Sequence, residues 1–215
     1  MIQSLAATER TRVRRVPENA DYSQATLLAV IDAAWLCHVA FADANGTHCM
    51  PTVCWREGDY LYVHGSNGGR LIKLLALGVQ ACVTITHLDG LVLARSAFSH
   101  SMNYRSAIVY GVFESVDDEA AKRASMAALM EKIAPGRHSE VRTGSVKEFN
   151  ATTILRISLA EAACKVRSGP PVDDEQDMGI AAWAGVLPMA LRPLAPVPDA
   201  QWTLPDPAYV SAWGR

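Results

Sequence analysis

The stretch Leu61-Tyr-Val-His-Gly-Ser-Asn-Gly-Gly-Arg-Leu71 carries the clearest chemical signal in the chain. A strand pattern ends in His64-Gly65-Ser66, passes through Gly68 and Gly69, and enters a helical pattern at Arg70. Glycines let backbone N–H groups approach an anion, a helix start adds partial positive charge, and Ser66 and Arg70 supply further donors. The segment reads as a phosphate cradle or as a glycine-rich connector with an exposed arginine. It is not a P-loop, because Arg70 is followed by Leu71 and no Gly-Lys-Ser/Thr is present.

Two further stretches concentrate polar groups. In Arg95-Ser-Ala-Phe-Ser-His-Ser-Met-Asn-Tyr-Arg-Ser106, aromatic and sulfur side chains alternate with ionisable ones just before an apolar strand. His100, Asn103, Tyr104, Arg105 and Ser106 there line a site or belong to a solvated hairpin loop. In Lys165-Val-Arg-Ser-Gly-Pro-Pro171, Lys165 and Arg167 alternate along a strand end and so share a face. Trp183, farther on, covers a planar ligand or packs in a core. Other chemistries find less support. The six histidines form no HxxxH or HxH pair, and no GxSxG elbow occurs. His48-Cys49 with Cys54 has zinc-ligand types, but strand alternation explains them as well.

The elements that would position these groups follow from periodicity. Thr8–Asn19 holds four arginines, Arg10, Arg12, Arg14 and Arg15, and reads as a solvated lead-in or a phosphate-binding arm. Ser23 is placed as an N-cap for a helix carrying Leu27, Leu28, Ile31 and Ala34 and stopping near Trp35. Strands are expected over Leu36–Ala42, Thr47–Arg56 and Tyr60–His64, with a positive-φ turn at Asn45-Gly46. A short helix over Gly69–Leu77 ends at Gly78. Strands resume at Gln80–Thr86, turn at Asp89-Gly90, and continue through Leu91–Ala97 and Ser106–Val116. Asp117 and Asp118 open a second helix with Ala121, Ala124, Ala128, Leu129 and Ile133 inward, and Thr152–Leu159 is the last strand. About six strands with helical additions predict an antiparallel barrel of the α+β class, not a parallel dinucleotide sheet.

Composition bounds the function. The 215 residues are half hydrophobic, with 20 basic against 22 acidic side chains and a net charge of −2. That balance excludes bulk attraction to nucleic acid or to an anionic membrane as the main activity. No apolar run reaches the roughly 18–20 residues of a membrane span, and the start MIQSLAATERTRVRR has no secretory pattern. Five cysteines with no CxxC pair suit reduced thiols. A cytoplasmic protein is the expectation. Six of the eleven prolines fall between Pro188 and Pro207, so residues 1–192 are assigned to one domain and 193–215 to an extended arm.

The motifs Tyr62-Val-His-Gly-Ser66 with Arg70, Asp89-Gly-Leu-Val-Leu-Ala-Arg-Ser-Ala-Phe98, Ser101-Met-Asn-Tyr-Arg-Ser106, Lys165–Pro171 and Trp183-Ala-Gly-Val-Leu-Pro188 occur in the order found in the pyridoxamine 5′-phosphate oxidase-like flavoproteins. The chain resembles that family from about Arg14 to Pro188, and most of all its flavin-nucleotide-binding, nitroimidazole-resistance branch. The resemblance implies a six-stranded antiparallel split β-barrel and a homodimer with FMN at the subunit interface. It implies flavin contacts from Val63, His64, Ser66, Arg70, Arg105 and Ser106, and, where the C-terminal segments diverge, from Lys165, Arg167 and Trp183. The C-terminal substrate-phosphate signature of true pyridoxamine phosphate oxidases is missing. The implied function is an FMN-dependent oxidoreductase for a small aromatic or nitro-type substrate. The alternative is a non-catalytic FMN- or haem-binding module, with His64 or His100 as axial ligand. No residue is singled out as acid, base or nucleophile.

Overall fold

The computed structural model describes Leu5 and residues 7–214. The chain opens with β1 (Ala20–Asp21), then α1 (Gln24–Asp32), β2 (Leu36–Asp43), β3 (Gly46–Val53), β4 (Trp55–Glu57) and β5 (Tyr60–Ser66). The helix α2 (Arg70–Ala76) leads into two long strands, β6 (Gln80–Leu93) and β7 (Ser101–Val112), then β8 (Glu114–Ser115) and α3 (Glu119–Ile133). After α4 (Val146–Asn150) come β9 (Thr152–Ser158), β10 (Ala162–Arg167), β11 (Gly185–Pro188) and α5 (Ala208–Ser211).

The larger antiparallel sheet runs β1-β10-β7-β6-β2-β3, and the smaller runs β4-β5-β9-β8. This is the expected split barrel. Its long strands β2, β3, β5, β6, β7 and β9 are those the periodicity located, and shorter segments add to both sheets. Alternation fixes what each strand buries. Cys37, Val39 and Phe41 of β2 point inward while Leu36 and His38 are exposed, and Val83 and Ile85 of β6 do the same from the next strand. Leu27, Val30 and Ile31 of α1 plug one end, against Leu61 and Val63 of β5 and Leu155 and Ile157 of β9. Each such aliphatic side chain contributes about 1.5–3 kcal/mol by leaving water. Ser23 caps α1, its Oγ accepting from Thr26 N at 3.3 Å.

Four expectations need correction. Thr152–Leu159 is not the last strand, because β10 and β11 follow it and pair with β7 and β6. Asp89-Gly90 is not a turn: β6 continues to Leu93, with the register slipping between Leu88 and Gly90, so the pair forms a bulge inside one strand. The polar stretch before Ser106 is accordingly strand, because β7 starts at Ser101 and Asn103 through Ser106 pair with β6. On α3, Ala121, Ala124 and Ile133 are exposed, and the inward face is Ser125, Met126, Ala128 and Leu129. Ser125 is the buried position because it completes a polar network with β4 described below.

Candidate functional site

His64 lies on the face of the smaller sheet that α3 covers. Its ring is 5.8 Å from that of Trp55, which also stacks on Tyr62 at 5.7 Å. Trp55 is itself fixed: its Nε1 donates to Glu57 Oε1 (3.1 Å) and Ser125 Oγ (3.2 Å), and Ser125 Oγ donates to Glu57 (2.6 Å). His64 Nδ1 is sealed in this layer with no hydrogen-bond partner among the described residues. Burial pushes the imidazole pKa down, so the ring is held neutral. A neutral, partly buried imidazole beside an aromatic wall is suited to ligating a metal of a planar cofactor. Val63, the residue before it, points into the barrel core and offers only its backbone. His100, the other histidine weighed as an axial ligand, is exposed, its Nδ1 bonded to Ser96 O at 2.9 Å.

The turn between β5 and α2 differs from a ready-made cradle of free amides. Asn67 N donates to Ala151 O, Gly68 N to Ser66 Oγ and Gly69 N to Ser66 O, so these three donors are used within the fold. What remains for an anion is the uncapped first turn of α2 and the Arg70 side chain. Arg70 is half exposed and does not stand alone. Its Nη2 donates to Asp43 Oδ2 (3.0 Å) and lies 2.6 Å from His48 Nε2, which is 2.9 Å from Asp43 Oδ1. The His48 and Arg70 donors hold the Asp43 carboxyl well below the usual carboxylate range. Asp43 and His48 thus orient the arginine. Nothing in the hairpin signal at Asn45-Gly46 indicated that the β2–β3 tip folds over the start of α2.

The remaining residues gather elsewhere. Arg105 makes a two-pronged pair with Asp89 (both 2.9 Å), which lowers the Asp89 pKa. Ser106 Oγ donates to Lys165 O (3.1 Å), and Lys165 Nζ donates to Arg15 O (2.9 Å). Arg167 Nη1 donates to the buried Asn103 Oδ1 (2.5 Å), and its Nη2 to Pro170 O (3.1 Å). Lys165 and Arg167 therefore share a face of β10, with no carboxylate among the described residues bound to either. Trp183 is exposed, its ring packed flat enough on Gly185 that a Cβ there would meet it at 2.9 Å. Of the basic lead-in, Arg10 pairs with Glu161 and Arg14 with Glu9.

Strand register separates these groups within one chain. Lys165 pairs with Ser106 and Ser106 with Thr86, whereas Arg70 contacts Asp43, two residues beyond the Phe41–Ala81 pair. By register, Asp43 beneath Arg70 and Lys165 lie three strands apart and about seven residues apart along them. One protomer does not bring the expected residues into a single site.

The relatives agree with this architecture. A family model described as pyridoxamine 5′-phosphate oxidase matches residues 23–166. The flavocytochrome Anf3 from Azotobacter vinelandii is 40% identical, with 96% of this chain and 97% of that chain covered and a TM-score of 0.91. The FAD and heme binding protein from Mycobacterium smegmatis is 34% identical, with 91% and 97% covered and a TM-score of 0.87. A 5-nitroimidazole antibiotic resistance protein from Bacteroides thetaiotaomicron, assigned as such only provisionally, shares the fold at 22% identity, 68% and 86% coverage and a TM-score of 0.58. No curated protein sequence matches the chain. Family model, sequence identity and split-barrel geometry coincide: the chain belongs to the pyridoxamine 5′-phosphate oxidase family.

Proposed function

We propose that this protein binds a flavin and a haem and works as a homodimeric oxidoreductase, with His64 as an axial ligand to the haem iron. The observation that carries this reading is the state of His64. Its ring is neutral through burial, its Nδ1 is sealed so that only Nε2 is left to meet a metal, and the buried Trp55 and Tyr62 pack beside it. The two relatives above 30% identity, one named as a flavocytochrome and one as binding FAD and heme, support pairing the two cofactors.

When bound, flavin and haem supply electron transfer that no side chain offers. The chain's own residues orient and bind. Trp55, pinned by Glu57 and Ser125, packs beside the His64 ring. Arg70, steered by Asp43 and His48, and the Lys165–Arg167 face present cations for the phosphate groups of the flavin. The flavin is FMN or its adenylated form FAD, which when bound would carry electrons from a diffusible reductant to a small organic acceptor of the aromatic or nitro type.

The absorbance spectrum of the purified protein tests both cofactors. The expectation is flavin absorbance near 450 nm and a Soret band after haem titration, with the released flavin identified by mass (about 0.46 or 0.79 kDa). His64→Ala should abolish the Soret band and leave the flavin in place. A Soret band unchanged in that variant overturns the ligand assignment, and an absence of both chromophores after titration overturns the reading as a whole.

A further inference from the structure

The chain beyond β11 is not needed to close the barrel, yet it returns to it. Met189 N donates to Asp89 O (3.0 Å), extending the β6–β11 ladder past Pro188. Past α5, Trp213 packs 6.5 Å from Trp35 at an angle of 48°. Tyr209 fixes this return, since its hydroxyl accepts from Arg137 Nη1 (2.5 Å) and donates to Glu140 Oε2 (2.8 Å). Between these anchor points the chain and the barrel enclose a groove of about 680 Å³. Small-molecule sites fall at about 300–1,000 Å³.

The groove has aromatic and aliphatic walls and a charged floor. Trp35 and Trp213 stand at one end, with Leu88, Met189 and Leu191 along the sides. Both indoles are partly open, at 39% and 44% exposure, with Lys132 Nζ 5.9 Å from the Trp35 ring. On the floor, Asp89 takes the Nε and Nη2 donors of Arg105, which leaves Arg105 Nη1 without an acceptor. His87 is turned away by its bond from Nε2 to Val30 O (2.9 Å). Arg192, also lining the groove, has no hydrogen bond or ion pair with any described residue. The Asp89 and Arg105 charges cancel, so the surplus charge of the groove is the single positive charge of Arg192.

A guest matching this surface is flat, to use the two indoles, and carries one negative charge, to meet Arg192. We propose that the groove binds a planar aromatic monocarboxylate, its ring against Trp35 and Trp213 and its carboxylate on Arg192 and the free Nη1 of Arg105. The site involves neither His64 nor Arg70, and shares with the implied flavin contacts only Arg105.

The test is calorimetric titration of the full chain with 4-nitrobenzoate and with its uncharged counterpart 4-nitrobenzamide. One saturable site per chain is expected, with the acid bound about tenfold more tightly than the amide. Arg192→Ala should erase that tenfold preference by weakening the acid alone, and Trp213→Leu should weaken both compounds to a similar degree. Arg192 has no partner to lose, so its variant should fold as the parent does. Absence of saturable binding up to about 1 mM, or an acid-to-amide ratio unchanged in Arg192→Ala, overturns the proposal. A Trp213→Leu variant that changes the oligomeric state of a parent that binds neither compound assigns the groove to a contact between copies and also overturns it.

Discussion

A buried nitrogen without a partner costs about 1–3 kcal/mol relative to a paired one, and His64 Nδ1 carries that cost in the cofactor-free chain. Replacing the ring by one of similar shape without nitrogen should therefore not harm the fold. His64→Phe is expected to leave the urea midpoint at pH 7.5 unchanged or higher, by up to about 2 kcal/mol, while removing haem binding. A loss of stability there would show that the imidazole is structural. The pH dependence follows from the lowered pKa. The unfolded histidine takes up a proton at about 6.5, before the folded one does. Stability from the neutral ring is thus complete above that pH, and it falls as the pH drops from 6.5 towards the folded pKa. The advantage of His64→Phe over the parent should grow between pH 7.5 and 5.5, and an equal difference at the two pH values would contradict it. At this scale the sequence was partly legible. His64, Ser66 and Arg70 stand out by type and spacing, but Asp43 and His48, which steer Arg70, come from a distant hairpin whose contact no local pattern encodes.

Among the elements, the β6 bulge shows how one local signal serves two structures. Asp89-Gly90 has the composition of a hairpin turn, and equally that of a bulge where a second backbone approaches closely. The deciding fact is nonlocal: β11 pairs with β6 at Gly90–Leu93, on the edge that β2 leaves free. A Cβ on Gly90 would meet Val186 Cγ1 at 3.0 Å and Leu187 O at 3.1 Å, and the carbonyl belongs to a backbone that cannot swing aside. Gly90→Ala should therefore weaken the docking of β11 by about 1–3 kcal/mol, the usual cost of overpacking. Hydrogen exchange is expected to accelerate at residues 185–189 and to stay unchanged in the paired part of β7. Unchanged exchange over 185–189 would mean that β11 shifts to accommodate the methyl group. The α3 helix makes the complementary point. Its caps and length follow from Asp118 and the alanine-rich run, but its rotation does not, because the residue it buries is Ser125 and the reason lies in Trp55 and Glu57.

For the molecule as a whole, the outer face of the large sheet is where the proposed dimer can be tested. The row His38, Thr84, Ile108 and Ala163 crosses β2, β6, β7 and β10, flanked by Leu36, Ala40, Cys82, Thr86, Leu88 and Tyr110; Lys165 and Arg167 continue the same face along β10, and Arg10 lies over the Tyr110 ring. Leu36 is 56% exposed and Ile108 37% exposed in one chain. A partly apolar sheet face with basic side chains only at its margin is a surface that favours association, and a two-fold axis would place it against its own copy. The same operation would address the separation of Arg70 from Lys165, since a partner's basic strip could approach a cradle that its own chain cannot reach. Ile108→Glu sets a charge in the middle of this face without touching the core, because Ala107 and Val109 on either side are the buried positions. The expected outcome is a chain with the parent's circular dichroism that runs as a monomer in light scattering. Its flavin affinity should fall together with its dimerisation, by about tenfold or more if one phosphate contact comes from the partner. A variant that remains dimeric would move the interface to another surface. A monomer that holds flavin as tightly as the parent would place the whole site within one chain, and the separation of the two basic positions would then have no bearing on cofactor binding.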